Sequence, residues 1–594
     1  MPEQRFGRAE PPSGEVRTTP HDMRTRRALI IVFTLAMMIG VTHEFAMVLT
    51  DRGQGGATIW DALFLLLFAL LFGWIAFGFA SAAMGFALLM TREFPGYVLA
   101  PDIPHPPHGR TAILMPIYNE AVDEVFARVE AMARSVADSG GAEAVDVFIL
   151  SDSHAEAGAV ERAAWERLAS AAPLPVYYRR RDKNVARKPG NIAEWVRRFG
   201  GAYEYMLVLD ADSLMSGRAI TLLAAIMDAH PRIGLLQTVP TVIGATSVFQ
   251  RWQQFASRLY GPVASAGLLW WSGAEASFWG HNAILRTRAF AESCGLPELK
   301  GRGPFGGHVM SHDMVEAALL RRRGWAVHMV MIEGSYEEFP PTMIDHAIRD
   351  RRWAQGNIQH IALLASRGFH WVSRLQLVLG ASAYITSPMW LCMILTSLAR
   401  EILSARPPML SGSTAGIFAL TFALLYASKL MATAWALADP ARRAAYGGGV
   451  RLVKSVAAEV MLSVLMAPAT MLTQTIDIAE ILAGKPSGWA PQARAREGLS
   501  FQDVLPRYRW HLALGGIFLA LTPLAPSSAL WLAPVTIGLL AAPWLATGTA
   551  RRARLGRAED TPFHVPPAPT EPHIAEAART FGPVDAFAPR VAPA

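Results

Sequence analysis

The chain holds 594 residues, too many for one ordinary domain, with 52% hydrophobic and only 17% charged residues. That balance argues against a purely soluble protein and is mild for a pure transporter, so membrane spans combined with a water-soluble domain are expected. The net charge of +7 does not point to nucleic acid as a partner, because the basic residues sit beside apolar segments, as the positive-inside rule requires; the two cysteines, Cys294 and Cys392, give neither a disulfide framework nor a zinc motif.

Residues 1–27 read as a polar cytoplasmic tail ending in Arg24, Arg26 and Arg27. Ala28 to Thr50 and Ala62 to Met90 are each long and apolar enough to cross a bilayer, giving two transmembrane helices within 28–90. The first is a signal anchor rather than a cleaved signal peptide, since it starts late and lacks a clear small-residue cleavage site. The flanks RTRR and TRE carry more positive charge than the link DRGQGGATIWD and belong in the cytoplasm.

Charges return from about 100 to 372, and the pattern alternates. TAILMPIYNE, VDVFILSDS, LPVYYRR, EYMLVLDADS and IGLLQTV read as buried strands; AVDEVFARVEAMARSVADSG and GRAITLLAAIMDAHP read as amphipathic helices. Such alternation implies a mostly parallel sheet covered on both faces, with ligands outside the carboxyl ends of its strands.

Two further spans fall within 375–437, and the basic loop ADPARRAAYGGGVRLVK after them is cytoplasmic. Residues 455–483 are apolar but contain Pro468, Glu459, Asp477 and Glu480, with basic loops on both sides. A helix of about 29 residues cannot cross twice, so this segment is expected to be interfacial or re-entrant. A transmembrane hairpin at 511–548 and a Pro-rich disordered tail at 560–594 complete the chain, for six clear spans and up to eight.

Polar clusters at strand ends and helix starts carry the candidate chemistry. In YMLVLDADSLMSG, Asp210 and Asp212 follow a buried strand and can converge on one ion. Mg²⁺ or Mn²⁺ held by one or two carboxylates neutralises a diphosphate leaving group, whereas an acidic turn is the bland alternative. In RDRRWAQGN, Arg349, Arg351 and Arg352 suit phosphate oxygens and Trp353 offers a flat face to a sugar; a basic helix snorkelling toward headgroups is the alternative. Ser311-His312-Asp313 opens an amphipathic helix, so Asp313 is either its N-terminal acid or a general base for an acceptor hydroxyl. ARKPGNIAEW places Lys188 and Asn191 where a phosphate or nucleotide contact is expected. PIYNE, with Pro116, Tyr118 and Glu120, closes the first strand, and Asp152 of SDS closes the second; Asp152 or Glu120 suits the imide and ribose of a uridine.

In this order the motifs resemble the D, D-x-D, E/T-D and Q-x-x-R-W signatures of processive membrane family 2 glycosyltransferases, the group of cellulose, hyaluronan and chitin synthases. The matching positions are Asp152, Asp210 with Asp212, Asp313, and Arg349 to Trp353. Two departures, Arg349 for the usual Gln and His312 for the usual acid, together with GPFGGHVMSHD, EEFPPT and RDRRWAQGN, resemble the glucans biosynthesis glucosyltransferase H family over roughly residues 20–545.

The resemblance implies a multi-pass α-helical membrane protein with an inserted cytoplasmic α/β domain over 100–372, GT-A-like with a mostly parallel sheet. It implies inverting transfer from UDP-glucose into the β-1,2-linked backbone of osmoregulated periplasmic glucans, at the bacterial inner membrane, with export of the product. Asp210 and Asp212 would hold Mg²⁺ or Mn²⁺, and Asp313 would be the catalytic base. Pro116, Tyr118, Glu120, Asp152, Lys188, Asn191, Arg349 and Arg352 would serve the nucleotide and phosphates. Trp353, Gln355, His281, His308 and His312 would meet the sugars. The implied partners are UDP-glucose, the growing glucan and membrane lipid, with acyl carrier protein by family analogy and no nucleic acid. A cellulose-, hyaluronan- or chitin-type synthase is the alternative among enzymes, although no F-x-V-T-x-K gating motif is found. A transporter with a nucleotide-binding module is the alternative from another class, with His43 and Glu44 as its path-lining candidates.

Overall fold

The computed structural model describes residues 1–8, 22–50, 58–91, 108–404, 412–485, 498–553, 563–566, 568 and 571–580. Two long apolar helices come first, α1 (Met23–Thr50) and α2 (Ile59–Thr91). Alternation follows: β1 (Thr111–Ile117), α3 (Val122–Asp138), β2 (Val145–Ser151), α4 (Ala155–Ala171), β3 (Val176–Arg180), α5 (Arg187–Arg198) and β4 (Tyr205–Val208). β1, β2 and β4 are buried along their whole length, as strands covered on both faces must be.

The chain continues through β5 (Leu214–Met215), α6 (Gly217–Ala229), β6 (Ile233–Thr238), β7 (Thr241–Ile243) and α7 (Val248–Ser272). It then forms β8 (Ala283–Arg286), α8 (Thr287–Ser293), α9 (His312–Arg322), β9 (Ala326–Val330), β10 (Ser335–Glu338) and α10 (Met343–Gln359). The main sheet has the order β3-β2-β1-β4-β8-β6-β9. All its pairings are parallel except those of β8, which runs antiparallel between β4 and β6. A small sheet, β5-β10-β7, stands beside it and carries the EEF stretch. Each of the five apolar runs singled out in the sequence contains a strand of the main sheet.

The remaining helices are α11 (Trp371–Ser404), α12 (Gly412–Ala438), α13 (Pro440–Ala445), α14 (Gly449–Leu482), α15 (Phe501–Val504), α16 (Arg509–Leu521), α17 (Pro526–Thr549) and α18 (Pro572–Thr580). Among the described residues six helices are long and apolar enough to cross a membrane: α1, α2, α11, α12, α14 and α17. The number matches the six clear spans expected, but the membership differs. The expected hairpin at 511–548 has a first arm, α16, of 13 residues. Its rise of about 20 Å falls short of a hydrocarbon core of about 30 Å.

Within 455–483, expected to be interfacial or re-entrant, residues 455–482 contain no turn. They lie in α14, one unbroken 34-residue helix with Pro468 inside it. Its carboxylates are paired: Glu459 with Lys429 at 2.8 Å and with the hydroxyl of Tyr260 at 2.7 Å, Asp477 with Arg351 at 2.8 Å. α14 therefore meets α7 toward its start and α10 at its end.

The expectation of disorder over 560–594 fails for the part that is described. Phe563 is buried and lies 5.8 Å from the Phe255 ring, and α18 sets Ile574 and Ala577 into the core beside α3. The apolar face of PHIAEAART was hidden by its Pro-rich surroundings. The N-terminal tail also docks: Gln4 N–H donates to the Gly295 carbonyl at 2.7 Å, and Phe6 packs edge-on against Phe369. The membrane part and the sheet domain join where α7 lies on α2. A Cβ at Gly85 would stand 2.1 Å from the Val263 carbonyl oxygen, and one at Gly267 would stand 2.1 Å from that of Ser81, so only small residues allow this approach.

Candidate active site

The carboxyl ends of β1, β2 and β4 open on a cleft of about 650 Å³ that α9 and α10 also line. Its sheet side is built from turns that tie themselves. Ser213 Oγ accepts from the Asp210 N–H at 2.9 Å, and the Ser213 N–H donates to the Asp210 carbonyl at 3.0 Å, so the serine of DADS fixes the turn presenting both aspartates. PIYNE and SDS are tied likewise. The Asn119 N–H donates to Ser153 Oγ at 2.7 Å, and Asn119 Oδ1 accepts from the His154 N–H at 3.1 Å.

The lysine loop holds Ala186 and Arg187 in left-handed conformations, φ 54° and 53°, uncommon for residues with a Cβ and frequent at functional loops. From it Lys188 Nζ bonds the Asp210 carboxylate and donates to the Gly280 carbonyl at 2.7 Å. Gly280 in turn abuts Asp313, for a Cβ there would stand 3.3 Å from Asp313 Oδ2. Lys188 thus links the aspartate pair to the wall that carries the candidate base. Arg352 lies in the cleft with Asp210, Glu120 and Arg187 as its charged neighbours. Burial lowers its pKa against the pull of the two carboxylates. Arg187, Lys188 and Arg352 set three cations among the carboxylates of this side.

On the helical side, α9 begins at His312 and Asp313. Asp313 Oδ1 is buried without a hydrogen-bond partner, which is costly for a carboxylate and marks an atom left open for a ligand. His312 Nδ1 lies 2.9 Å from Glu316 Oε2, both side chains being buried. Burial pulls its imidazole pKa down, but Glu316 and Asp313 outweigh that and hold it above the ordinary histidine value. His360 Nε2–H donates to the Ser311 carbonyl at 2.8 Å and fixes the helix start. His281 lines the cleft 3.5 Å from Glu337. Burial lowers its pKa too, but Asp210, Glu337 and Asp212 raise it beyond the usual value.

The structure brings Pro116, Tyr118, Glu120, Asp152, Lys188, Asp210, Asp212, His281, His308, His312, Asp313, Arg349, Arg352, Trp353 and Gln355 to this one cleft. Asn191 is a correction: it is fully buried, donates from Nδ2 to the Leu150 carbonyl at 3.0 Å and bonds Arg179 through Oδ1, so it secures α5 to β2 and does not line the cleft. Asp152 lines the cleft, but both its oxygens accept from Arg181, at 2.6 and 2.7 Å. The three arginines of RDRRW part ways. Arg352 enters the cleft, Arg351 pairs with Asp477 and Glu480 of α14, and Arg349 is buried between the rings of Phe339 and Trp353. Sequence reasoning missed Glu337, Trp279, Arg181 and Arg187; the EEF stretch was the only signal pointing to Glu337.

A family model described as glycosyl transferase family 2 matches residues 112–293, and one described as glycosyl transferase family group 2 matches residues 205–438. A mannosyltransferase from Pyrobaculum calidifontis, solved with GDP-mannose and Mn²⁺, aligns with a TM-score of 0.43 at 16% identity, over 64% of this chain and 96% of that one. A glucans biosynthesis glucosyltransferase H from Xanthomonas campestris pv. campestris (strain B100) is 41% identical over 589 residues, 95% of this chain and 91% of the relative. The protein of the same name from Caulobacter vibrioides (strain NA1000 / CB15N) is 43% identical over 582 residues, 94% of this chain and 87% of the relative. Identity at this level runs nearly end to end in both chains, and the chain belongs to the glucans biosynthesis glucosyltransferase H family of the family 2 glycosyltransferases.

Proposed function

We propose that this glycosyltransferase of glucan biosynthesis is an inverting enzyme that draws glucose from UDP-glucose into a β-1,2-linked backbone. We place its sheet domain, about 100–372, in the cytoplasm, its helices in the bacterial inner membrane, and the growing glucan on a path through them to the periplasm. The observation that carries this reading is that a carboxylate pair and a carboxylate whose Oδ1 has no partner line one cleft, with Lys188 bonding Asp210 and the carbonyl of Gly280, which abuts Asp313.

Asp210 and Asp212 fit a divalent cation of the Mg²⁺ or Mn²⁺ kind. Two carboxylates one residue apart are hard oxygen donors that would suit such a cation, with Lys188 paired to the Asp210 carboxylate in this structure. When bound, the ion neutralises charge on the leaving diphosphate. Arg352 and Arg187 add positive charge on the same side, and Asp152 and Glu120, at the ends of β2 and β1, suit the nucleoside. Asp313 Oδ1 takes the proton of the acceptor hydroxyl as that oxygen attacks the anomeric carbon. Trp353, 46% exposed, supplies the stacking face for the acceptor sugar.

The test is labelled UDP-glucose given to membranes carrying the protein, with Mg²⁺ or Mn²⁺, followed by UDP release and linkage analysis of the product. UDP release with a β-1,2-glucan is expected. A β-1,4- or β-1,3-linked product would select the cellulose, hyaluronan or chitin type instead, and no transfer from any nucleotide sugar would sink the reading.

A further inference from the structure

We propose that Arg349 is a positioning residue for the acceptor: clamped between Phe339 and Trp353, its guanidinium sets the angle at which Trp353 presents the acceptor hydroxyl to Asp313. The inference rests on the acceptor role given to Trp353 above and goes beyond it, because it names what decides which hydroxyl is attacked.

Arg349 and Trp353 lie four residues apart on α10 and share one face of it. The Arg349 Cζ sits 4.4 Å from the Trp353 ring centroid and 4.4 Å from that of Phe339. Only a planar cation fills such a slot, since an ammonium is a point charge and an amide carries none. Phe339 is braced in turn by His346, whose ring stacks on it at 5.4 Å. The side chain is 7% exposed and its Nε–H has no partner, although it lines the cleft beside Asp212, Glu337 and Trp353.

A buried guanidinium whose Nε–H has no partner is held by its two ring neighbours rather than by hydrogen bonds from that atom. Burial lowers its pKa against the pull of its acidic neighbours Glu337, Asp212 and Asp350. The backbone beneath it is held independently, by Arg351 to Asp477 and by Gln474 Nε2 to Asp350 at 2.8 Å. The tryptophan ring itself packs on Arg349, which Phe339 backs from its other face. This gives a role to EEFPPT, and it accounts for an arginine at the first position of RDRRW, where a phosphate contact was expected.

The experiment measures, on Arg349→Lys, Arg349→Gln and Phe339→Leu, the ratio of glucan formed to UDP released, the linkage pattern of the product, and the affinity for UDP alone. The ratio is expected to fall at least about tenfold in both arginine variants and less in Phe339→Leu, as water replaces the misaligned hydroxyl and free glucose appears with the UDP. Linkages other than the wild-type one should rise in the residual product, with UDP affinity retained. Phe339→Leu keeps every charge, so a fall in its ratio cannot come from a lost phosphate contact. The proposal is overturned by a wild-type ratio and linkage pattern in all three variants, or by a loss confined to the arginine variants that tracks weaker UDP binding. If the wild type releases no UDP from UDP-glucose, the donor assignment fails instead, and the same ratio is read with the nucleotide sugar that turns over.

Discussion

The two walls of the cleft are built on different principles. The sheet wall holds its groups by short-range bonds: Ser213 to Asp210, Asn119 to Ser153, and Arg181 to the Asp152 carboxylate. The helical wall is held from outside. Arg351 and Asp350 of α10 are bonded by Asp477 and Gln474 of α14, and α9 is seated on α10 through Gly356 and Ser311. A shift of α14 would reach Asp313, Trp353 and Arg352 together, whereas the turns that hold Asp210 and Asp152 are tied within the sheet domain.

That contrast can be broken by substitution. The largest effect is expected from Asp313→Asn, which should lower glucan formation by about 10²–10⁴-fold while UDP still binds; elongation at the normal rate would dismiss the base. Chelation with EDTA attacks the other wall and should stop turnover, a loss of about a hundredfold or more. Full activity in EDTA would take the metal away from Asp210 and Asp212.

Gly356→Ala places a Cβ 2.2 Å from Ser311 Oγ and 2.7 Å from its backbone nitrogen. Displacing α9 in this way should cost on the order of tenfold to a hundredfold in elongation with nucleotide affinity spared. An equal loss in both would show that the walls are not separable. Arg351→Ala leaves Asp477 without its cation and Glu480 with Lys485 alone, and should lower elongation about threefold together with thermal stability.

The smallest effect is a matter of pH. Glu316 and Asp313 raise the His312 pKa against burial, so its charge contributes fully below about pH 6.5 and is lost as pH rises through the folded value, while burial raises the Glu316 pKa despite His312 and so weakens the pair from the acid side. The melting temperature of the wild type should exceed that of Glu316→Gln by a few degrees near pH 6, and the gap should narrow by about pH 9. A gap that does not change with pH would remove the charge from this pair.

Much of the sheet wall was legible in the chain. YMLVLDADSLMSG shows its apolar strand, its carboxylates and the serine that caps the turn, because all of these contacts lie within a few residues. PIYNE and SDS were legible for the same reason. The antiparallel β8 was not, since four residues of AILR carry no sign of direction. Nor was the role of Asn191, whose phosphate-loop setting gives no hint that Leu150 and Arg179 consume its amide. The interfacial or re-entrant reading of 455–483 comes from the basic loops on both sides, and nothing local shows that Glu459 and Asp477 pair with Lys429 and Arg351 of distant helices.

By itself the sequence determined the membrane segments in outline, the parallel-dominated sheet, the order of the motifs and the family, since apolar periodicity and short motifs are local properties. The tertiary structure alone decided which arginine of RDRRW faces substrate, which carboxylates are spent on ion pairs, and that Lys188 joins Asp210 to the Asp313 side of the cleft. Those outcomes depend on side chains brought together from positions tens to hundreds of residues apart, and burial sets their partners and their charge.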